Sequence, residues 1–323
     1  MYALKVACLV IAALMFSALA GRPNAQSIGY ADAIGQVGMN CSRDIDKFCK
    51  KLNLGGGRIS QCLEQNQAVS PTCKATITSL KVLLATRTQA RASVIRVCDV
   101  DIRRLCPGVQ PGDGNLMECF YKAKQSVSPQ CRQEVANAGY EVAVGPGAAT
   151  TQVALSSTDL INSLQGVEQA ANTVSAARLR QLAVQGMNDP ARANRMNRAP
   201  LYEQLEQLAQ LTIAIQFEFN SARIRPDSFR AVGLMADALY HPYLQGYRFL
   251  IVGHTDAKGN REYNLKLSQQ RADAIRAALV NPFGIGPSRI EAVGLGEEQL
   301  LKPGNPEAAE NRRVQLINIG PGR

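Results

Sequence analysis

The chain has 323 residues, room for two or more domains, and a formal net charge of +10. Such a charge draws a protein weakly toward anionic envelope polymers or lipid head groups, but it specifies no ligand. Aromatic residues make up only 5% of the chain and Trp is absent. Together with the export signal described next, this composition argues against nucleic acid as a partner.

The N-terminus has the pattern of a secretory signal peptide. Lys5 supplies a positive charge ahead of the apolar run Val6–Phe16, and Ala18-Leu19-Ala20 offers small residues for cleavage. The run is too short for a comfortable membrane span of about 20 residues. We therefore expect residues 1–20 to be removed after Sec-type export to the periplasm. The alternative is an uncleaved segment that anchors the protein in the inner membrane.

Eight cysteines remain once Cys8 leaves with the signal. Export to an oxidising compartment makes disulfides their expected state, and the C-x2-C spacing of common zinc sites does not occur. We therefore expect no metal and no cofactor. The cysteines recur as two sets with intervals of 8, 13 and 11, then 8, 13 and 12 residues. The sets are Cys41, Cys49, Cys62 and Cys73, followed by Cys98, Cys106, Cys119 and Cys131.

This recurrence predicts two homologous all-α modules of about 57 residues, stapled by disulfides, within residues 21–138 (about 41–78 and 98–136). Breaks at Gly55–Gly57 and between residues 107 and 114 predict a helical hairpin in each. Antiparallel helices would favour nested bonds, but four cysteines permit three connectivities and the sequence selects none. The modules resemble the cysteine-rich repeat of Golgi sialoglycoprotein-type proteins, and we expect a structural or partner-binding role.

Residues 139–200 read as a linker with short helices. Gly145–Thr151 has the composition of a flexible linker. Ser157-Thr158-Asp159 offers an N-cap for one short helix, and Val174–Val184 favours a second. The segment is therefore predicted to be a tether.

Residues 201–323 have an α+β pattern. Apolar alternation predicts a first strand, and helical spacing alternates with further strands along the chain. The order β-α-β-α-β-β predicts a mixed sheet with the helices packed on one face. The predicted elements are strand Ile213–Phe219, helix Pro226–Tyr240, strand Tyr247–Val252, helix Asn264–Leu279, and strands Ile290–Val293 and Val314–Ile317.

Two charged residues in this region suit a zwitterionic ligand. Asp256 follows the second strand, near the positive end of the next helix, which favours its ionised form. On that helix Asn264, Leu267 and Arg271 are spaced i, i+3 and i+7 and share a face. Asp256 can meet an ammonium while Arg271 binds a carboxylate through two parallel hydrogen bonds. The alternative is an Asp256–Arg271 ion pair that only stabilises the loop.

Five motifs follow one another around these residues. They are Gly253-His254-Thr255-Asp256, Gly259, Asn264-x-x-Leu267-Ser268-x-x-Arg271-Ala272, Gly294-x-Gly296-Glu297 and Asn311-Arg312-Arg313-Val314. Together they resemble the OmpA-like domain that Pal lipoproteins and flagellar stator proteins share, over roughly the last third of the chain. The chain departs from the family at Leu300, where proline is frequent, so the loop 298–310 is expected to differ in shape.

The resemblance implies a ligand and a role for each residue. The family binds the meso-diaminopimelate of peptidoglycan stem peptides non-covalently, in the envelope of Gram-negative bacteria. Asp256 would receive the ligand's ammonium and Arg271 its carboxylate. The other implied pocket residues are Asn264, Arg312, Thr255, Leu267 and Asn220. Peptidoglycan is thus the expected partner, with another envelope protein expected at the cysteine-rich modules.

An enzymatic function finds little support. His254 is close to Asp256, but no serine or cysteine partner and no carboxylate pair for glycan hydrolysis can be nominated. We expect a structural, hydrogen-bonded histidine and no catalysis. A redox enzyme that used the cysteine-rich part would instead require readily titratable thiols.

Overall fold

The computed structural model describes residues 29–110, 115–140, 157–165, 174–188 and 205–322. The predicted signal peptide and the glycine-rich part of the linker lie outside these ranges. Within them, no helix has both the length and the apolar character needed to span a membrane.

In the residues that the structure describes, the cysteine-rich region has six helices. They are α1 (Tyr30–Phe48), α2 (Arg58–Gln65), α3 (Pro71–Val97), α4 (Asp99–Leu105), α5 (Asn115–Lys122) and α6 (Pro129–Asn137). Helices α3 and α6 begin alike, because Ser70 and Ser128 each accept a hydrogen bond from the cysteine amide three residues on. Asp44 and Asp101 in turn accept hydrogen bonds from those serines. The same cap in both copies shows that they are structural repeats.

Each repeat contains two nested disulfides. Cys41 is bonded to Cys73 and Cys49 to Cys62; the second copy has Cys98–Cys131 and Cys106–Cys119. The structure thus selects the connectivity that antiparallel helices favour. Disulfides of this kind typically stabilise a fold by about 2–4 kcal/mol each, mainly by restricting the unfolded chain.

The C-terminal region is a four-stranded mixed sheet with helices, as predicted. Strand β2 is parallel to β3 and antiparallel to β4, and β1 pairs antiparallel with β4, which gives the order β1-β4-β2-β3. The elements are β1 (Gln210–Ile213), helix α9 (Phe229–Leu239), β2 (Tyr247–His254), helix α10 (Arg261–Val280), β3 (Ile290–Gly296) and β4 (Val314–Pro321). Two helices precede this region in the chain, α7 (Ser157–Leu164) and α8 (Ala176–Asn188).

The prediction for the first strand is wrong in position. The strand spans 210–213 instead of 213–219, because its partner β4 begins at Val314, which pairs with Ile213. Beyond Ile213 the chain leaves the sheet and forms a hairpin in which Phe217 bridges Ile224. The apolar alternation survives outside the strand, since Ile213 and Ile215 are both buried.

Both faces of the sheet are covered. Phe249 and Ile251 of β2 face the core beneath α9 and α10, while Leu250 and Val252 face a second core. Helix α8 (Ala176–Asn188) covers that second face. Helix α7 (Ser157–Leu164) contacts α9 and β1. Where the structure describes the middle segment, it therefore packs on the sheet, unlike the tether that its composition favoured.

The first cysteine repeat shares a core with the C-terminal region. Helix α1 packs along α9, and a Cβ at Gly233 would lie 2.5 Å from the Cα of Ala31. At the start of α1, the amides of Tyr30 and Ala31 both donate 2.9 Å hydrogen bonds to the carboxylate of Asp237 on α9. Asp237 thus caps a helix that lies more than 200 residues away in sequence.

A buried ion pair strengthens this junction. The guanidinium of Arg87 on α3 donates to Asp237 at 3.2 Å, and their side chains are 3% and 6% exposed. Arg87 also lies 3.9 Å from the centre of the Tyr30 ring, and Arg91 lies 3.5 Å from that of Tyr240. Burial lowers the pKa of Arg87 from its ordinary value, and the charge of Asp237 opposes that shift. The two regions are therefore joined by desolvated charges as well as apolar contacts.

The second repeat reaches the C-terminal region through an aromatic contact, which yields a pH prediction. The His241 ring lies 4.8 Å from Tyr121 and 5.3 Å from Tyr243, measured between ring centres. Burial, aided by the charge of Lys124, lowers the pKa of His241 to about 4. In the unfolded chain a histidine titrates near its ordinary value of about 6.5.

We expect the free energy of unfolding to fall by about 1–2 kcal/mol between pH 7 and pH 5 because of His241. In that window the unfolded state binds a proton at this residue and the folded state does not, so stability decreases as the pH falls. Urea unfolding at the two pH values should show a smaller decrease for His241→Gln than for the wild type. An equal decrease in both proteins would contradict this assignment.

Candidate functional site

Asp256 lies in the loop between β2 and α10. Its Oδ2 accepts a 2.5 Å hydrogen bond from Nη1 of Arg312, and its Oδ1 accepts one from the amide of Lys258. The Asp256 side chain is 12% exposed, and that of Arg312 is 50% exposed. The loop ends at Asn260, which caps α10 by accepting from the amide of Tyr263. The carboxylate is therefore held in place while Arg312 remains open to solvent.

Asn264 supports this loop from the first turns of α10. It is buried, and its Nδ2 lies within hydrogen-bond distance of the carbonyl oxygens of Asp256 and Lys258 and of the Glu297 carboxylate. The shortest of these contacts, 2.8 Å, is the one to Glu297. In the structure Asn264 thus holds the backbone that carries Asp256.

Arg271 lies two turns further along α10 and is half-buried. Its Nε donates to the carbonyl oxygen of Ser221 at 3.1 Å, and its guanidinium lies 4.9 Å from the centre of the Phe217 ring. Burial is the largest cause that lowers the pKa of Arg271, and the positive charge of Arg312 lowers it further, while Asp256 opposes the shift. Both charges therefore act on Arg271, and of the two residues only Arg312 lines the same cleft as Arg271.

The structure does not contain the Asp256–Arg271 ion pair that we considered as an alternative. Asp256 pairs with Arg312 instead. Within the part of the chain that the structure describes, Arg271 has no carboxylate partner, and its two terminal nitrogens make no hydrogen bond. Arg271 and Arg312 both line an open cleft of about 350 Å³. The cleft thus presents two guanidinium groups, of which one lacks an acidic partner among the described residues.

The remaining predicted residues surround this centre differently. Thr255 is buried, its amide donates to the carbonyl of Gly296, and its hydroxyl has no hydrogen-bond partner among the described residues. Leu267 is buried on α10, on the face that also carries Asn264. Asn220 is exposed at the turn of the hairpin, where its φ of +47° is left-handed. It directly precedes Ser221, which holds Arg271.

His254 is part of the framework of the site. It is buried, and its Nε2 lies 2.6 Å from Oε1 of Gln315 on β4, to which it donates. Burial holds its pKa well below the ordinary value, so the imidazole is neutral at pH 7. Across the described ranges, no three His, Cys, Asp or Glu side chains are grouped as metal ligands.

Close packing between α10 and the strands positions the site. A Cβ at Gly294 would lie 2.1 Å from the amide nitrogen of Gln269, so only glycine allows this approach. In the same contact, the amide of Gly296 donates to the hydroxyl of Ser268 at 2.8 Å. The helix that carries Arg271 is thereby fixed against the ends of β2 and β3.

Three residues that hold the loops beside the site were given no role by the sequence. Arg261 donates to Glu298 from both Nε and Nη2, and the Glu298 side chain is 1% exposed. Asn311 is buried and holds the loop 298–310 through the carbonyls of Asn305 and Pro306. Nothing in the sequence pairs Arg261 with Glu298 across 37 residues. The loop 298–310, in which Leu300 stands where the family often has proline, is thus held by the side chains of Arg261 and Asn311.

Two parts of the chain match known protein families. Residues 216–313 match the OmpA family, and residues 71–128 match the family described as cysteine rich repeat. Over 102 residues the chain is 39% identical to a peptidoglycan-associated lipoprotein of Pseudomonas putida, covering 31% of this chain and 59% of that protein. Over 111 residues it is 37% identical to outer membrane porin F of Pseudomonas fluorescens, covering 34% of this chain and 33% of the porin.

One solved structure is similar to part of the chain in sequence. The peptidoglycan-associated lipoprotein from Burkholderia pseudomallei is 33% identical in sequence, with 32% of this chain and 87% of that chain covered and a TM-score of 0.28. The chain spans less than two thirds of the length of the Pseudomonas relatives. The protein thus carries an OmpA family domain at residues 216–313, preceded by a cysteine rich repeat at residues 71–128.

Proposed function

We propose that this protein is a non-catalytic component of the Gram-negative cell envelope that binds peptidoglycan through its OmpA family domain. The observation that carries the proposal is the guanidinium of Arg271, which lines a cleft without an acidic partner among the described residues, near the carboxylate of Asp256. The names of the lipoproteins in Pseudomonas putida and Burkholderia pseudomallei describe them as peptidoglycan-associated.

The ligand that suits this arrangement is the side chain of meso-diaminopimelate in a stem peptide. Its terminal carbon carries both an ammonium and a carboxylate. The ammonium binds Asp256, which has further acceptor capacity beside its bond to Arg312. The carboxylate binds the free terminal nitrogens of Arg271 through charge-assisted hydrogen bonds. The complex is non-covalent, and Thr255, Leu267, Asn220 and Asn264 support or line the site.

We also propose a location for the protein in the envelope. Residues 1–20 act as a cleaved signal peptide, and the mature protein lies in the periplasm. Mass spectrometry of the mature N-terminus tests this, because a start near Gly21 excludes the inner-membrane anchor that we consider as the alternative. The cysteine-rich region is proposed to hold another envelope protein in addition.

We expect the full chain to sediment with peptidoglycan that contains meso-diaminopimelate and not with peptidoglycan that contains L-lysine at the same position. Lysine lacks the second carboxylate, so it can satisfy Asp256 but leaves Arg271 without a partner, and a desolvated charge without a partner opposes binding. The measurement is the bound fraction in parallel pull-downs at equal ionic strength.

Free meso-diaminopimelate should compete with the wall polymer in the same assay, and the amide of Nα-acetyl-L-lysine, which has an ammonium but no carboxylate, should not. Equal retention on both polymers would instead indicate attraction by net positive charge and would contradict the proposed ligand.

A further inference from the structure

The hairpin 217–224 holds Arg271 on two sides. At its base, the Phe217 ring lies against the guanidinium, and at its turn the carbonyl of Ser221 accepts from Nε. The hairpin itself is small: Phe217 bridges Ile224, and the amide of Glu218 donates to the carbonyl of Arg223. A two-stranded hairpin is only marginally stable on its own. Its position must therefore depend on what supports it from outside.

That support comes from the first cysteine repeat. Nδ2 of Asn53 donates to the carbonyl of Ala222 at 2.6 Å, and Oδ1 of Asn53 accepts from the amide of Ile224 at 3.0 Å. A second contact lies nearby, where Arg223 pairs with both Asp46 and Glu218. One carboxamide thus satisfies a donor and an acceptor on the return strand of the hairpin.

The loop that carries Asn53 is closed by the Cys49–Cys62 disulfide. This loop also contacts α10, because a Cβ built on Gly55 would lie 3.3 Å from the carbonyl oxygen of Ala277. Ala277 is on the helix that carries Arg271. The disulfide-closed loop therefore contacts both elements that position the guanidinium.

Where the structure describes it, the second repeat does not contact the hairpin through the equivalent residues. Counting from the equivalent cysteines Cys49 and Cys106, the position of Asn53 is occupied by Gln110, which is exposed and makes no hydrogen bond within the described ranges. The position of Asp46 is occupied by Arg103, which pairs with Asp99 in its own module. By contrast, the capping aspartates do the same work in both copies. The copies differ at the residues through which the first one contacts the hairpin.

We propose that the first cysteine repeat is part of the ligand-binding unit, with Asn53 as a positioning residue that holds the hairpin and, through it, Arg271. This inference rests on the proposed binding of diaminopimelate at the same cleft. It assigns the Cys49–Cys62 loop to the binding site and leaves the second repeat as the surface available to another envelope protein.

The test is the affinity of the full chain for a soluble disaccharide-tetrapeptide that contains meso-diaminopimelate, measured by calorimetry. Asn53→Ala is expected to weaken binding by about 3- to 30-fold, the range typical of residues that act on a site through others. Gln110→Ala, the equivalent change in the second repeat, is expected to leave the affinity unchanged. The Cys49→Ser/Cys62→Ser pair should weaken binding more than Cys106→Ser/Cys119→Ser, which opens a loop of equal length.

A double-mutant cycle separates positioning of Arg271 from a general loss of structure. If Asn53 acts through Arg271, then Asn53→Ala should have less effect in an Arg271→Lys background than in the wild type, whereas independent effects would add. Additive effects, or an affinity unaltered by Asn53→Ala, would overturn the inference while the wild type still binds. A wild type that does not bind the muropeptide would instead remove the proposed function, and this inference with it.

Discussion

Replacing Asp237 by alanine is expected to lower the free energy of unfolding by about 3–5 kcal/mol, the usual cost of removing one partner from a buried ion pair. The carboxylate accepts from Arg87 and from the amides of Tyr30 and Ala31, and all of these donors are buried. Its loss removes a buried acidic partner of Arg87 and the cap at the start of α1 together. Urea unfolding of the full chain measures the effect.

Asp273→Ala on α10 is the matched control, because Asp273 is exposed and accepts only from Gln269 within the described residues. We expect that change to remain within about 0.5 kcal/mol of the wild type, as is usual for exposed sites. A loss at Asp237 no larger than this would show that the cysteine repeat and the C-terminal region do not depend on each other for stability. Such a result would also weaken the argument that the first repeat braces the binding site.

Local patterns predicted the elements of the protein well. The cysteine intervals revealed two repeats, because a disulfide framework constrains the spacing of cysteines strongly. The helices predicted around Cys41, Cys62 and Cys73 are present in the structure. In the C-terminal region, alternation and helical spacing predicted the strands and helices in the right order. Asp256 and Arg271 could be nominated from the sequence because the motifs that contain them are short and continuous; their role in binding stays a prediction.

Contacts between distant residues were not predictable in the same way. Asp237 and Arg87 are single charged residues on separate helices, and nothing in either neighbourhood pairs them across 150 positions. Nothing around Asn53 distinguishes it from other loop residues in the sequence, because its role depends on where the hairpin lies after folding. The packing of α8 on the second sheet face was missed because its short apolar pattern also suits a helix within a linker. Each of these features arises from tertiary packing.

The Arg271→Ala change is expected to weaken binding of a meso-diaminopimelate muropeptide by about 2–4 kcal/mol, or roughly 30- to 1000-fold. The guanidinium is half-buried and lacks an acidic partner among the described residues, so the ligand carboxylate would be its charge partner. Asp256→Ala should also weaken binding, because it removes the acceptor for the ligand's ammonium. The same change leaves Arg312 without its hydrogen bond to Asp256. Combining both changes should abolish retention on the wall polymer in a pull-down.

Lys266→Ala distinguishes a specific site from attraction by charge. Lys266 is exposed on the same helix, and its replacement removes one positive charge, as Arg271→Ala does. If the basic character of the chain drives binding, the two variants should lose affinity equally, and the binding of both should weaken steeply with salt.

If the cleft binds a zwitterion, Lys266→Ala should match the wild type, and Arg271→Lys should recover only part of the affinity. Lysine keeps the charge but cannot present two parallel donors to a carboxylate. Unchanged retention of the Asp256→Ala/Arg271→Ala double variant would exclude this site.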